Sequence, residues 1–494
     1  MTNSKDDKKF DPIQEALKLF AKARVFRDAN RIGYVYTPIG DTLAIHGEEF
    51  ESDLKAQFYR THDRMLTDRE FNTVKGILSA RACGSPIEEV HIRVVERNHV
   101  LHLDLANASH EIVVASATGW KVSKDVRIPF RRPNGMLPLN APQRDWEGWT
   151  LRDYLAYLFP RFSESALLAI AGFLIGTLRP GRPFPLLQFV GGKGTLKSTT
   201  ARMIKALIDP SIGDERGFPR NEQDFSIHAR NCWIPLFGNI SSMPQWLSDA
   251  LCRLSTGGAF GTRKLYTDDE ESIITLKRPA IMTGIGDVIE SSDLKDRILF
   301  VELPAVDESD RKTEEEVWAT FRELQPYILA ATLDCVCAGL ASLDTVKPER
   351  LRRLADWHKF MIAAFPAMGF EEGLLDQMLE DNRGNAAEAV LESSWVAQAV
   401  IALMSSRTEF EATATELYDA LRQAAQDRLF FDPRNWPANP QVLSSELRRF
   451  EPDLQQRGIR IEFLPRTGKR RVIVIRRDGD ACDAVKTSAS PSAS

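Results

Sequence analysis

The stretch PFPLLQFVGGKGTLKSTTARMIKALI, residues 183–208, runs from an apolar strand pattern through a glycine-rich turn into a helical pattern. No other part of the chain constrains the fold as much. Glycines at a strand-to-helix junction let backbone N–H groups converge on an anion, and the positive end of the following helix points at the same place. The spacing is that of a phosphate-binding loop, G-x-x-x-x-G-K-[ST], with Gly191, Lys197 and Ser198 in register and Leu196 where the second glycine belongs. In such a loop Gly191, Gly192, Lys193, Gly194, Thr195, Leu196, Lys197, Ser198 and Thr199 surround the phosphates. Lys197 neutralises the β- and γ-phosphates and Ser198 holds Mg²⁺. Leu196 fits this scheme if its backbone keeps helical dihedrals and its side chain turns away from the phosphates.

Further apolar runs are expected to add strands to the same sheet: CWIPLFGN and RPAIMTGI each end in loop-forming residues. Strands alternating with helices predict an α/β domain with a parallel sheet and its ligand at the carboxyl ends of the strands. We place this domain at 146–305. At 494 residues the chain has room for several more domains. An α+β domain is expected over 13–140, where PIQEALKLFAKA has helical spacing and HIRVVERNHVLHLDL and EIVVASATGW alternate like paired strands. RRPNGMLPLNAPQRD, with three prolines, reads as an extended linker. Residues 314–406 read as helical. The polar ends, 1–12 and 480–494, are expected to be disordered.

Residues 410–478 read as a winged helix-turn-helix: helices at TATELYDALRQAA and NPQVLSSELRRFEPDLQQRG, then two strands joined at Thr467-Gly468. Net charge is -5, with 64 basic against 69 acidic side chains, so any nucleic-acid surface has to be local. Between Gln441 and Arg477 ten Arg and Lys stand against four Asp and Glu. Arg466, Lys469, Arg470 and Arg471 at the strand junction are therefore candidates for gripping DNA phosphates.

The six cysteines form no C-x-x-C pair, which fits reduced thiols in a cytosol. His228 lies four residues before Cys232, but no second pair accompanies it, so zinc is not expected. The N-terminus MTNSKDDKKFDP lacks the apolar core of a secretory signal, and the longest apolar stretch, Ala166 to Gly176, is 11 residues, about half of a membrane span. A cytoplasmic protein without a membrane partner is the expectation.

GGKGTLKSTTARMIKALIDP, SDALCRLSTGGAFGTRKLYTDDEE, RPAIMTGI and DLKDRILFVELP together resemble the ATPase core of phage- and plasmid-type primase-helicases, which belong with the superfamily 3 helicases, a branch of the AAA+ proteins. The resemblance spans roughly Trp149 to Pro304. It implies a P-loop AAA+ core, ATP and Mg²⁺ as cofactors, and a homo-oligomeric, hexameric ring acting on single-stranded or forked DNA as a helicase or translocase in replication of a mobile element. Arg263 and Lys264 match a segment that lines the central channel and grips DNA. Thr283 matches the sensor that orients the attacking water, and Arg297 the arginine that reaches a neighbouring subunit's γ-phosphate. No primase signature precedes the core, so a separate primase or polymerase is expected.

One position departs from the pattern. The second acidic motif of such proteins ends its strand on a carboxylate, and here Gly238 stands there with Asn239 after it. Neither substitutes well for a carboxylate in the Mg²⁺ shell or in polarising water, which weakens turnover more than binding. Asp224 and Asp249 are candidate replacements. Two other functions share nearly all of these motifs: a nucleotide-gated, weakly or non-hydrolysing assembly protein on DNA, and a defence ATPase triggered by foreign nucleic acid.

Overall fold

The structure, a computed structural model, describes residues 10–144, 148–191, 195–217, 219–240, 243–263, 271–284, 291–304, 313–426, 436–465 and 472–477. Order begins before the expected boundary at residue 12. Asp11 accepts from the N–H groups of Ile13 and Gln14 and so caps α1 (Pro12–Leu19). A small antiparallel sheet follows, β1 (Arg24–Arg27), β2 (Gly33–Tyr36) and β3 (Thr42–Ala44), covered by α2 (Glu48–His62) and α3 (Asp68–Cys83). Phe50, Leu54, Phe58, Phe71, Val74 and Leu78 form its own core.

The rest of the expected α+β domain behaves differently. The meander β4 (Val94–Arg97), β5 (Val100–Asp104), β6 (Ile112–Ser116) and β7 (Gly119–Ser123) sends Val94, Leu101, Leu103, Val113 and Ala115 into the apolar cluster of the central domain. Region 13–140 is thus a satellite plus a sheet fused to the molecule's main core. The proline-rich linker is extended, as its composition demands, but it is docked. Leu137 N–H donates to Pro210 O at 2.9 Å, Leu139 is buried, and the Arg131 guanidinium donates to Asn231 Oδ1 at 3.1 Å.

The central domain opens with α4 (Leu151–Leu158) and α5 (Glu164–Thr177), the second capped by Ser163, whose Oγ accepts from Ala166 N–H at 3.2 Å. Every residue from Ala166 to Thr177 is buried, as a helix apolar on all sides requires. Then come β8 (Leu186–Val190), α6 (Lys197–Ile208), α7 (Glu222–Arg230), β9 (Leu236–Ile240), α8 (Gln245–Thr256), the hairpin β10 (Gly258–Arg263) and β11 (Glu271–Leu276), β12 (Ala280–Gly284), α9 (Ser292–Lys295) and β13 (Ile298–Glu302). Four strands form a parallel sheet in the order β13-β8-β12-β9. Leu187, Phe189, Ile281 and Leu299 face α5 and α6, while Leu186, Phe237, Met282 and Ile298 face α7, α8 and the hairpin. Burial on both faces explains why these strands read as unbroken apolar runs.

A 29-residue helix, α10 (Glu314–Ser342), braces the structure, touching α4, α5, α6, β6 and β7. By length and apolarity alone it could cross a membrane, but here it is a core helix whose Ile328, Leu329, Leu333 and Val336 are buried in the main cluster. α11 (Ala355–Ala364), α12 (Leu374–Ser393) and α13 (Trp395–Met404) follow. The apolar face of α13 does not join the helical region it was expected to close. Val396, Ala397, Val400 and Leu403 pack instead into the last core, with β14 (Glu409–Thr413), α14 (Ala414–Gln426), α15 (Pro440–Gln456), β15 (Ile459–Phe463) and β16 (Val472–Arg477). The three strands pair antiparallel in the order β14-β16-β15, so the expected two helices and two strands gain a third of each.

A buried ionic cluster ties the front sheet to the helix that follows the glycine turn. Arg93, fully buried, donates to Asp209 Oδ1 at 3.2 Å, and Lys205, also buried, contacts the same carboxylate. Asp209 Oδ2 further accepts from the N–H groups of Trp233 and Ile234 at 2.8 and 3.0 Å. Burial alone would raise the Asp209 pKa, but Lys205 and Arg93 hold it below the usual carboxylate range.

Candidate nucleotide site at the carboxyl edge of the parallel sheet

β8 delivers the chain to Gly191, whose φ of +151 suits glycine, and a Cβ there would stand 3.0 Å from Thr195 Oγ1 and 3.2 Å from Leu303 O. Gly192, Lys193 and Gly194 lie outside the described residues. Lys197 opens α6 and folds back over the turn, its Nζ donating to Gly191 O at 2.8 Å. Burial lowers its pKa. Thr195 is buried beside it and Thr199 lies on the first turn of α6. Leu196 departs from the expectation of helical dihedrals. It caps the helix at φ 59 and ψ 27, the left-handed conformation that glycine would take without strain. Its side chain is 44% exposed and turns into a cleft of about 920 Å³. Trp149, Tyr157 and Phe162 line that cleft on one side, and Leu196, Thr199 and Met203 on the other.

At the same edge of the sheet, Thr283 pairs with Phe189 of β8 and its buried hydroxyl accepts from Asn239 N–H at 3.1 Å. Asn239 holds φ 54, which its short amide side chain tolerates. The hydrogen bond ties the ends of β9 and β12 together beside the glycine turn.

The position of the missing carboxylate is filled. A Cβ on Gly238 would fall 1.8 Å from Oε1 of Glu215 and 2.5 Å from its Cδ, and Ser198 Oγ donates to that same Oε1 at 3.1 Å. Glu215 arrives there because the chain leaving α6 doubles back along β9. Arg216 N–H donates to Leu236 O at 3.1 Å and Gly238 N–H to Arg216 O at 3.0 Å, a single parallel bridge on the sheet edge. The neighbouring Asp214 turns the other way, taking the Arg202 Nε on both oxygens at 3.1 Å. The two replacements expected from sequence do not serve: Asp224 is exposed in the first turn of α7, and Asp249 is exposed on α8, accepting from Gln245 at 2.9 Å. Sequence reasoning missed Glu215 because nothing local marks it.

Arg297 is not brought to Lys197. It sits at the amino end of β13, its carbonyl accepting from Leu186 N–H at 2.8 Å at the start of β8. The length of β8, about 13 Å at the usual rise, separates the two ends of the sheet. Its guanidinium is mostly buried against Asp293 at 2.8 Å, a carboxylate that Arg353 also contacts. Arg263 occupies the last described rung of the β10–β11 hairpin, opposite Glu271, and Lys264 lies outside the described residues. So do Arg466, Lys469, Arg470 and Arg471, between β15 and β16. Among the described residues no group of His, Cys, Asp and Glu suits a metal ion. His228 and Cys232 are buried near each other, with the imidazole pKa pushed down to about 3 by burial first and then by Arg216.

Residues 156–374 match the model of the actinomycete integrative conjugative element replication protein, and residues 396–490 that of the AICE RepA C-terminal domain. The second match begins at α13, where the last hydrophobic core also begins. The chain is therefore a replication protein of a mobile element. The particular kind that both segments match, over more than half of its length together, is the RepA of actinomycete integrative conjugative elements. No curated protein matches the chain. Among solved structures it is similar to the A form apo structure of the NrS-1 C terminal region (305–718), over 94% of this chain and 100% of that one, at 10% identity and a TM-score of 0.39. A second A form apo structure of that region aligns over 95% of this chain and 100% of the other at 11% identity and the same TM-score.

Proposed function

We propose that the chain is an ATP-driven DNA helicase or translocase of the superfamily 3, AAA+ type, working as a hexameric ring in replication of its element. The observation that carries this reading is the convergence of Lys197, Ser198 and Thr283 on one edge of the parallel sheet, beside a cleft of about 920 Å³. That volume suits a nucleotide. The glycine turn and the amino end of α6 would take the phosphates, the cleft would take base and ribose, and Ser198 would hold Mg²⁺. Arg297, a full strand length from Lys197, could act only on a neighbouring subunit's nucleotide, and this is the role the ring gives it. The β10–β11 hairpin would present Arg263 and Lys264 to single-stranded DNA in the channel. The last domain, with the topology of a winged helix, would hold duplex or forked DNA through Arg466, Lys469, Arg470 and Arg471. Priming falls to a separate primase or polymerase.

A second reading is favoured by Gly238: binding of nucleotide and assembly on DNA without appreciable turnover. ATP hydrolysis measured with and without single-stranded DNA separates the two. On the motor reading, hydrolysis rises with DNA, disappears in Lys197→Ala, and accompanies strand separation on a forked duplex. Saturable ATP binding with no hydrolysis under any DNA would leave only the second.

A further inference from the structure

We infer that Glu215 is the carboxylate of the nucleotide site, moved from Gly238 in β9 onto the segment that returns from α6. The inference rests on the nucleotide reading above and names a residue that the sequence pattern does not. Its first support is spatial. The atom that a side chain at Gly238 would begin with and the Glu215 carboxylate cannot coexist, since they would stand 1.8 Å apart. The glycine is therefore the vacancy into which Glu215 reaches, and one acidic group replaces another in the same space. Its second support is chemical. Ser198, placed to hold a divalent cation, donates its hydroxyl hydrogen bond to Glu215 at 3.1 Å, which fixes the lone pairs of that oxygen.

The local charges leave Glu215 available. Asp214, its neighbour in sequence, is neutralised by Arg202, which also takes Glu314 at 3.0 Å. Among the described residues no Lys, Arg or His forms an ion pair with Glu215, and its partner there is the Ser198 hydroxyl. A hard dication on a nucleotide keeps much of its water and takes one or two protein oxygens. The residues fit such an ion, with the Ser198 oxygen holding it and Glu215 acting as a positioning residue that orients the hydroxyl and anchors bound water. The remoteness of Glu215 in sequence also makes the site depend on the turn at 209–216, which is fixed through Asp209 and Ser211 to Lys205 on α6.

The test measures metal binding, apart from hydrolysis. Full-length protein is titrated with ATP in EDTA and with Mn²⁺-ATP, with bound Mn²⁺ read by electron paramagnetic resonance and folding checked by thermal melting. Glu215→Gln should weaken Mn²⁺ by about 10- to 100-fold, the range typical of residues that orient a metal ligand, while leaving metal-free ATP binding in place. The double variant Glu215→Gly, Gly238→Asp returns a carboxylate to β9 and should recover most of that loss. Gly238→Asp alone crowds Glu215 and should not improve on the natural chain. If Glu215→Gln holds Mn²⁺-ATP as tightly as the natural chain does, the inference is overturned while the nucleotide site stands. A folded double variant that recovers nothing overturns the shared-space argument and the inference with it. No ATP uptake by the natural chain in either buffer overturns the nucleotide reading itself.

Discussion

Leu196 shows what one residue costs and what it reveals. A left-handed backbone at a non-glycine residue costs on the order of 1–2 kcal/mol, and the cap of α6 carries it. Replacing Leu196 with glycine should therefore stabilise the chain by about 1 kcal/mol, read as a higher urea midpoint, because the strain relieved exceeds the flexibility added to the unfolded chain. Buried imidazoles make a second prediction at this scale. His91 and His228 have pKa values pushed down from 6.5 to about 4 and about 3, burial being the first cause in both. As pH falls below 6.5 the unfolded chain binds protons that the folded chain refuses, so stability falls with pH until the folded pKa values are reached. Urea midpoints should drop between pH 7.5 and 5, and His228→Phe, beside the Phe237 ring that already packs edge-on at 5.4 Å, should flatten that slope. The strand and helix on either side of residues 192–194, β8 and α6, were legible in the sequence because the residues that define them lie within two dozen positions. Glu215 was not, because its meaning depends on a chain reversal that sets it against a glycine more than twenty positions away.

At the scale of elements, α5 and α11 pack through glycines. A Cβ at Gly172 would meet Met361 Cε at 2.9 Å and Trp357 Cζ2 at 3.1 Å, and the Trp357 indole N–H donates to Gly172 O at 3.0 Å. Gly172→Leu should force the two helices apart at a cost of about 1–3 kcal/mol, seen as a lower melting temperature with α6 and its turn unchanged in sequence. The parallel sheet was readable because strands buried on both faces leave unbroken apolar runs at βα spacing. The allegiance of α13 was not readable. WVAQAVIALM is apolar on nearly every side, and such a helix carries no stripe to say which core it will join. The linker had a similar ambiguity: prolines dictate an extended path, but it is tertiary partners, such as those of Arg131, Arg132, Leu137 and Asn140, that decide the path is fastened down.

For the whole molecule, the governing feature is the buried cluster of Arg93, Lys205 and Asp209. Removing one member leaves charge stranded away from water, so Asp209→Asn should destabilise the fold by about 3–5 kcal/mol. Limited proteolysis should then cut first between the front sheet and the central domain. Triple substitution of Arg93, Lys205 and Asp209 by apolar residues of similar size, which strands no charge, should recover part of the loss and so separates charge stranding from packing. The arrangement also bears on how the protein could be switched on. Through Arg93, Asp209 and Lys205 the sheet β4–β7 is tied to α6, the helix that begins at Lys197. If nucleotide binds at the amino end of α6 as proposed, a ligand that shifted that sheet would alter its affinity, and the reverse by the same factor.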